Sequence, residues 1–196
     1  MKKLITFILL SSLFFIACQN NDAGKNTDAN AGDSKATDSS MIKATIKDVG
    51  QQQEKLSQMT PLPPEELKTM LPDSLLGVAK QNENASNANG AAFASADYIL
   101  SDTTMVAVGI YDCAGPAGAG IYSLQFLSLL NRDQENEEEF TKTIDYNGNK
   151  AFAHCDKESN DCTFSFFAAG RYLVSLNSRK INVDILRQAA NSMNFK

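Results

Sequence analysis

The stretch EEFTKTIDYNGNKAFAHCDKESNDCTFSFFAAGRYLVSLN, Glu138 to Asn177, holds four short segments rich in β-branched and aromatic residues, separated by turn signals. The segments are Glu138–Tyr146, Asn149–Cys155, Cys162–Ala168 and Arg171–Asn177. Asn147-Gly148 is the favoured two-residue hairpin turn, because both positions tolerate positive φ. Ala169-Gly170 supplies another reversal, where glycine takes the same geometry. These signals predict a four-stranded antiparallel meander.

Working outward, Asn182 offers an N-cap for a final helix with Val183, Leu186, Ala190 and Met193 on its inward face. Upstream, Cys113 to Asn131 runs nineteen residues without charge. Its second half, Ile121 to Leu130, is apolar on nearly all sides and should be a helix laid against a sheet. Phe93–Leu100 and Met105–Tyr111 read as a strand pair turning at Ser101-Asp102. Leu75–Lys80 reads as a first strand, followed by a polar loop from Gln81 to Asn89. A short helix opens at Pro63-Pro64, carries Glu65 and Glu66 at its positive end and closes at Leu71-Pro72. The fold expected for residues 59–196 is therefore α+β. About six or seven mainly antiparallel strands, including the C-terminal meander, pack with an internal and a C-terminal helix.

The first 58 residues differ in kind. Lys2 and Lys3 precede an apolar run to Ala17, shorter than the ~20 residues a bilayer span needs, and Cys18 follows at once. A basic start, a short apolar stretch and a small residue at the end make a secretory leader, residues 1–17. Residues 19–40 contain no aliphatic side chain larger than alanine and no aromatic, so they cannot bury enough to fold. Residues 18–40 would act as a tether spanning about 25 Å on average. From 41 to 58, Ile42, Ile46, Val49 and Leu56 recur at helical spacing, an amphipathic helix or stalk weakened by Gly50 and Gln53.

With Ala17 before Cys18, the leader resembles that of bacterial lipoproteins, although Phe15 stands where that family most often has Leu. The Asn/Asp/Gly-rich tether is similar to those of Bacteroidota-like lipoproteins. The resemblance implies a mature chain beginning at an acylated Cys18, with several chains giving lasting attachment to the membrane. It places the protein in the cell envelope, lipid-anchored at the outer membrane, on its periplasmic or surface face. Removing Lys2 and Lys3 leaves 16 basic against 23 acidic residues, a net charge near −7. That charge argues against nucleic acid as a partner and against adhesion to anionic lipid by charge alone. The run from Asp133 to Glu139 reads as a solvated loop.

Oxidising surroundings let paired cysteines persist. Cys155 and Cys162 flank the loop Asp156–Asp161 at facing ends of adjacent strands, where Cα atoms lie ~4.5–5.5 Å apart. Three cysteines permit three pairings, and the meander favours Cys155–Cys162, leaving Cys113 as a buried small hydrophobe. A soft-metal site from Cys113, His154, Cys155 and Cys162 conflicts with alternation, because His154 and Cys155 point to opposite faces. Gly115, Gly118 and Gly120 precede a helix but match neither phosphate-binding fingerprint, so their expected role is close packing of helix on sheet. Asp156, Glu158, Asn160 and Asp161 lack the mid-loop Gly of a calcium loop, and Phe167 replaces its closing Glu. Asp97, Asp102, Asp112 and Asp145 lie in or beside strands without evident pairing. No catalytic, metal or cofactor residue is assigned.

The segment Pro61-Leu-Pro-Pro-Glu-Glu-Leu-Lys-Thr-Met-Leu-Pro72, with the later YDCAGPAGAG and YNGNKAF stretches, resembles uncharacterised small domains of bacterial envelope proteins. That likeness implies no chemistry. The expectation is a membrane-anchored, non-catalytic binding or structural module that engages an envelope protein or polymer through its sheet face or its 41–59 helix. The alternatives are a hydrolase or redox protein centred on His154, Cys113 and nearby carboxylates, and a carrier of a small apolar ligand between the Ile121–Leu130 helix and the sheet.

Overall fold

The computed structural model describes residues 49–195. The leader, Cys18, the tether and residues 41–48 lie outside the described residues. In chain order the elements begin with helix α1 (49–58), α2 (Pro64–Lys68), and strands β1 (Ser74–Leu75) and β2 (Val78–Ala79). Next come β3 (Gln81–Ala88), β4 (Ala91–Ser101), β5 (Thr104–Asp112) and α3 (Gly115–Ile121), which runs into a π-helix at Tyr122–Leu127. The remainder is β6 (Gln134–Glu135), β7 (Glu139–Tyr146), β8 (Asn149–Asp156), β9 (Cys162–Ala168), β10 (Tyr172–Arg179) and α4 (Val183–Asn191). The protein is α+β, with β1 and β2 forming a minor hairpin and the other eight strands one antiparallel sheet.

The sheet order is β3-β4-β5-β10-β9-β8-β7-β6, so two meanders are joined where β10 pairs with β5. The expected meander is present as β7 to β10. Its turns use the residues that tolerate them: φ is +49° and +77° at Asn147 and Gly148, and +49° and +63° at Ala169 and Gly170. Chain alternation then gives the sheet two faces.

One face carries Ala94, Ala96, Tyr98, Val106, Val108, Ile110, Phe164, Val174 and Leu176, all buried. It is covered by Leu67 of α2, Leu71, Leu75, and Leu186 and Ala190 of α4. Burial of each large side chain contributes about 1.5–3 kcal/mol before entropy is counted. The Asn182 side chain accepts the Ile185 N–H at 3.1 Å, the N-cap that starts α4. The Tyr98 hydroxyl donates to the Pro72 carbonyl at 2.6 Å, fastening the end of the α2 segment to β4.

The opposite face is covered at one end only. Leu56 of α1, Cys113, Ala119 of α3, Tyr122 and Phe126 of the π-helix, and Leu173 form a second buried cluster. Tyr122 and Phe126 stack about Phe167, with ring centroids 4.5 and 6.2 Å from it. Leu56 of α1 is thus buried within the domain.

Three local expectations differ from the structure. Gln81–Asn89 is not a loop: Gln81–Ala88 is an edge strand, paired with β4 through its backbone despite having no large apolar residue. Leu75–Lys80 is not one strand but a tight hairpin, turning at Leu76 and Gly77 with φ of +51° and +84°. The internal helix starts earlier than Ile121, at Gly115, and changes to π geometry at Tyr122.

Gly118 fixes how closely α3 approaches the sheet. A Cβ there would stand 2.5 Å from the Cys113 carbonyl carbon and 2.6 Å from the Asp112 carbonyl oxygen. Gly120, by contrast, has open space. Gly118→Ala is expected to cost about 1–3 kcal/mol of stability through overpacking. Gly120→Ala, a gain in helix propensity, should leave stability unchanged or raise it by up to about 1 kcal/mol. Urea denaturation of the two variants checks both.

Candidate functional site

The strongest polar constellation lies where β5 ends. Asp112 is fully buried, and the Arg171 guanidinium donates to it from Nε and Nη2, each at 2.8 Å. The Leu62 N–H donates to Oδ2 at 2.7 Å and the Ala114 N–H to Oδ1 at 3.1 Å. Arg171 also donates to the Thr60 carbonyl at 2.9 Å. Burial pushes the Asp112 carboxyl up, but the Arg171, Leu62 and Ala114 donors together outweigh it and hold the group below its ordinary value. With both oxygens occupied, Asp112 is a structural clamp.

The other residues singled out by sequence are dispersed. Cys113 is fully buried, and burial pushes its thiol up to about 12, so it offers no thiolate at neutral pH. His154 is half-exposed, with Nδ1 3.0 Å from Thr141 Oγ1 and Nε2 3.9 Å from Glu139. Register puts His154 in the row of Thr163, Asn177 and Ala107, so Cys113 is six residues further along and three strands across. That separation is about 20 Å along the strand direction alone. Asp97 accepts from Asn82 at 3.0 Å and Asp145 pairs with Lys150 at 2.7 Å.

Cys155 and Cys162 are disulfide-bonded, with Cα atoms 4.1 Å apart, directly opposed in register. Their loop uses its own carboxylates: Asp156 Oδ1 accepts from the Glu158 and Ser159 N–H groups, and Asp161 accepts from the Lys180 N–H. Among the described residues, no three His, Cys, Asp or Glu side chains converge in a metal-binding group. Within the acidic run, Glu135 bridges Lys142 at 2.7 Å and Lys157 at 3.0 Å. The hydrogen bonds from these two lysines lower its carboxyl to about 2.

What the sequence reading did not draw in detail is a trough on the partly covered sheet face. Three cross-strand rows build it. Phe93, Tyr111, Leu173 and Phe167 form an apolar row beneath the helices. Ser95, Gly109, Ser175, Ser165 and Phe152 form the next, and the Ser165 and Ser175 hydroxyls lie 2.9 Å apart. Asp97, Ala107, Asn177, Thr163 and His154 form a polar outer row. A cavity of about 300 Å³ opens on this floor, bounded by Gln125 and Leu129 of the helical roof, and of the outer row only Ala107, Asn177 and Thr163 line it.

The roof is fastened at both ends. Asp112 holds the Ala114 N–H at the start of α3, and beyond the π-helix the Asn131 N–H donates to Thr143 Oγ1 at 2.7 Å. Within it, the Ser128 N–H reaches the Ser123 carbonyl at 3.1 Å, the wide i→i+5 turn. Tyr122 and Phe126 face the sheet, while Leu124 is left 76 % exposed. A second hollow, about 430 Å³, follows the seam between α4 and the β7–β8 edge on the other face and is rimmed by Lys142, Lys157, Asp184 and Arg187.

Comparison with protein-family models, curated proteins and solved structures finds no match.

Two outcomes are expected from this geometry. Replacing Cys155 and Cys162 together by Ala should lower stability by about 2–3 kcal/mol, the chain-entropy value for so short a loop, as read by chemical denaturation. Arg171→Met should cost about 3–5 kcal/mol at pH 7 by leaving a buried carboxylate without its cation. In the wild type, folded Asp112 titrates below its unfolded value of about 3.9. The stability it contributes is complete above that value and is lost as pH falls through the lower, folded one. The difference between the two proteins should therefore narrow on acidification, as thermal melts across the acid range would record.

Proposed function

We propose that this chain is a lipid-anchored lipoprotein of a bacterial envelope, and that its folded domain is a non-catalytic binding module. The trough carries the binding reading. It is a concave, partly apolar hollow with hydrogen-bonding groups on its floor, the form small-molecule sites commonly take. The side chains suited to catalysis are committed elsewhere. Asp112 is saturated by four donor contacts, Cys113 is buried and protonated, and His154 stands far from both. Nucleophilic or acid–base catalysis needs such groups within hydrogen-bond reach of one another. The leader and Cys18 support the anchor, and the polar tether would let the domain stand off from lipid.

The anchor is tested in the native bacterium by feeding an alkyne fatty acid. The wild-type protein should take up label and remain in the membrane pellet after a carbonate wash. Cys18→Ser should lose the label and move to the soluble fraction. Equal labelling of both proteins would remove the anchor from this reading.

A further inference from the structure

We infer that the trough binds a small, uncharged, flat amphiphile: a ring system with a hydroxyl or carbonyl at one end. This deepens the binding reading above and rests on it. None of the described residues lining the cavity carries charge, Asp97 and His154 standing at the two ends of the outer row outside that lining, so an ionised ligand would enter without a counter-charge in contact and lose its hydration uncompensated. A neutral ligand avoids that cost.

The walls favour flatness. Phe93 lies across Gly109, where an added Cβ would meet the ring at 3.1 Å, so the absence of a side chain at Gly109 lets the ring settle low against the sheet at this side of the trough. Phe152 bounds the other side, in the row that contains Ser165 and Ser175. Two aromatic rings with the small side chains of Ser165 and Ser175 between them make a surface suited to a ring system.

The floor favours a polar end. Ser165 and Ser175 bond to each other, and the Asn177 side-chain amide donates to Ser175 Oγ at 3.3 Å, which leaves one hydroxyl hydrogen and the remaining oxygen lone pairs for a ligand. Polarity also changes along the trough, from Phe93, Tyr111 and Leu173 under the helices to Thr163 and Asn177 outward. A molecule with one apolar and one hydrogen-bonding end would therefore bind in a single orientation. The roof is a π-helical segment, a wide turn that recurs at functional sites because it displaces side chains from their α-helical positions. Here Gln125 of that segment lines the cavity.

The test uses the full mature chain carrying Cys18→Ser, isotope-labelled for NMR, so that no detergent competes for the probe. The probes are 2-naphthol, its charged analogue 2-naphthoate, and glucose. On the inference, 2-naphthol shifts the amides of Gly109, Ser165 and Leu173 and the Gln125 side chain, and binds at least tenfold more tightly than 2-naphthoate. Glucose shifts none of them. Adding Ser175→Leu, which fills the trough from its floor, should weaken 2-naphthol at least tenfold while the melting temperature holds. Should that variant fail to fold, Gln125→Ala on the exposed roof should weaken binding as well. If 2-naphthoate or glucose binds the trough as well as 2-naphthol, the ligand class is wrong and the binding module stands. If no probe shifts a trough amide, the trough as a binding site is overturned too.

Discussion

One buried ion pair sets the geometry of everything around the trough. Asp112, at the end of β5, is gripped by Arg171 from the β9–β10 turn, by the Leu62 N–H from the segment after α1, and by the Ala114 N–H that begins α3. Three pieces of chain, distant in sequence, meet on two carboxylate oxygens: the Asp112–Ala114 corner, Leu62 and Arg171. A buried charge of this kind is tolerated because each oxygen is satisfied, and removing one partner would leave the full desolvation cost exposed. The pair also closes the joint between the two meanders, because Tyr172, next to Arg171, is the residue of β10 that pairs with Asp112.

From that point the roof follows. Asp112 holds Ala114, Gly115 turns the chain with φ of +76°, and Gly118 lets α3 lie against the backbone of Cys113. The helix then continues over the sheet, where Tyr122 and Phe126 find Phe167, and Gln125 and Leu129 line the same cavity as the serine floor. The trough is therefore a consequence of the fold's most constrained corner. Hydrophobic cover on this face stops where the rows turn to Ser95, Ser165 and Ser175, and the polar interval remains open to a ligand.

Much of the architecture was legible because it is local. Asn147-Gly148 and Ala169-Gly170 announce their turns, alternation places Cys155 opposite Cys162 once register is set, and Asn182 caps a helix whose spacing is plain. The misreadings share a cause. Gln81–Ala88 owes its strand to backbone pairing with β4, and a polar edge strand leaves no hydrophobic pattern to read. Leu76 takes a positive φ that its side chain disfavours, so Leu-Gly did not signal a hairpin. Asp112 and Arg171 are 59 residues apart, and nothing in either neighbourhood marks them as partners. The trough was harder still, because its floor is assembled from strands β4, β5, β10, β9 and β8, each giving one or two small or polar residues. The apolar run Ile121–Leu130 suggests a small apolar ligand between the internal helix and the sheet, but no local pattern announces the polar residues that register brings together there.

The most direct measurement is a crystal structure of the protein purified from the cells that naturally make it, without added small molecules. The account expects non-protein density between Phe93 and Phe152, above the Ser165–Ser175 pair and beneath Gln125. A Tyr122–Leu127 segment collapsed onto those serines, with the hollow filled by the protein's own side chains, would contradict it.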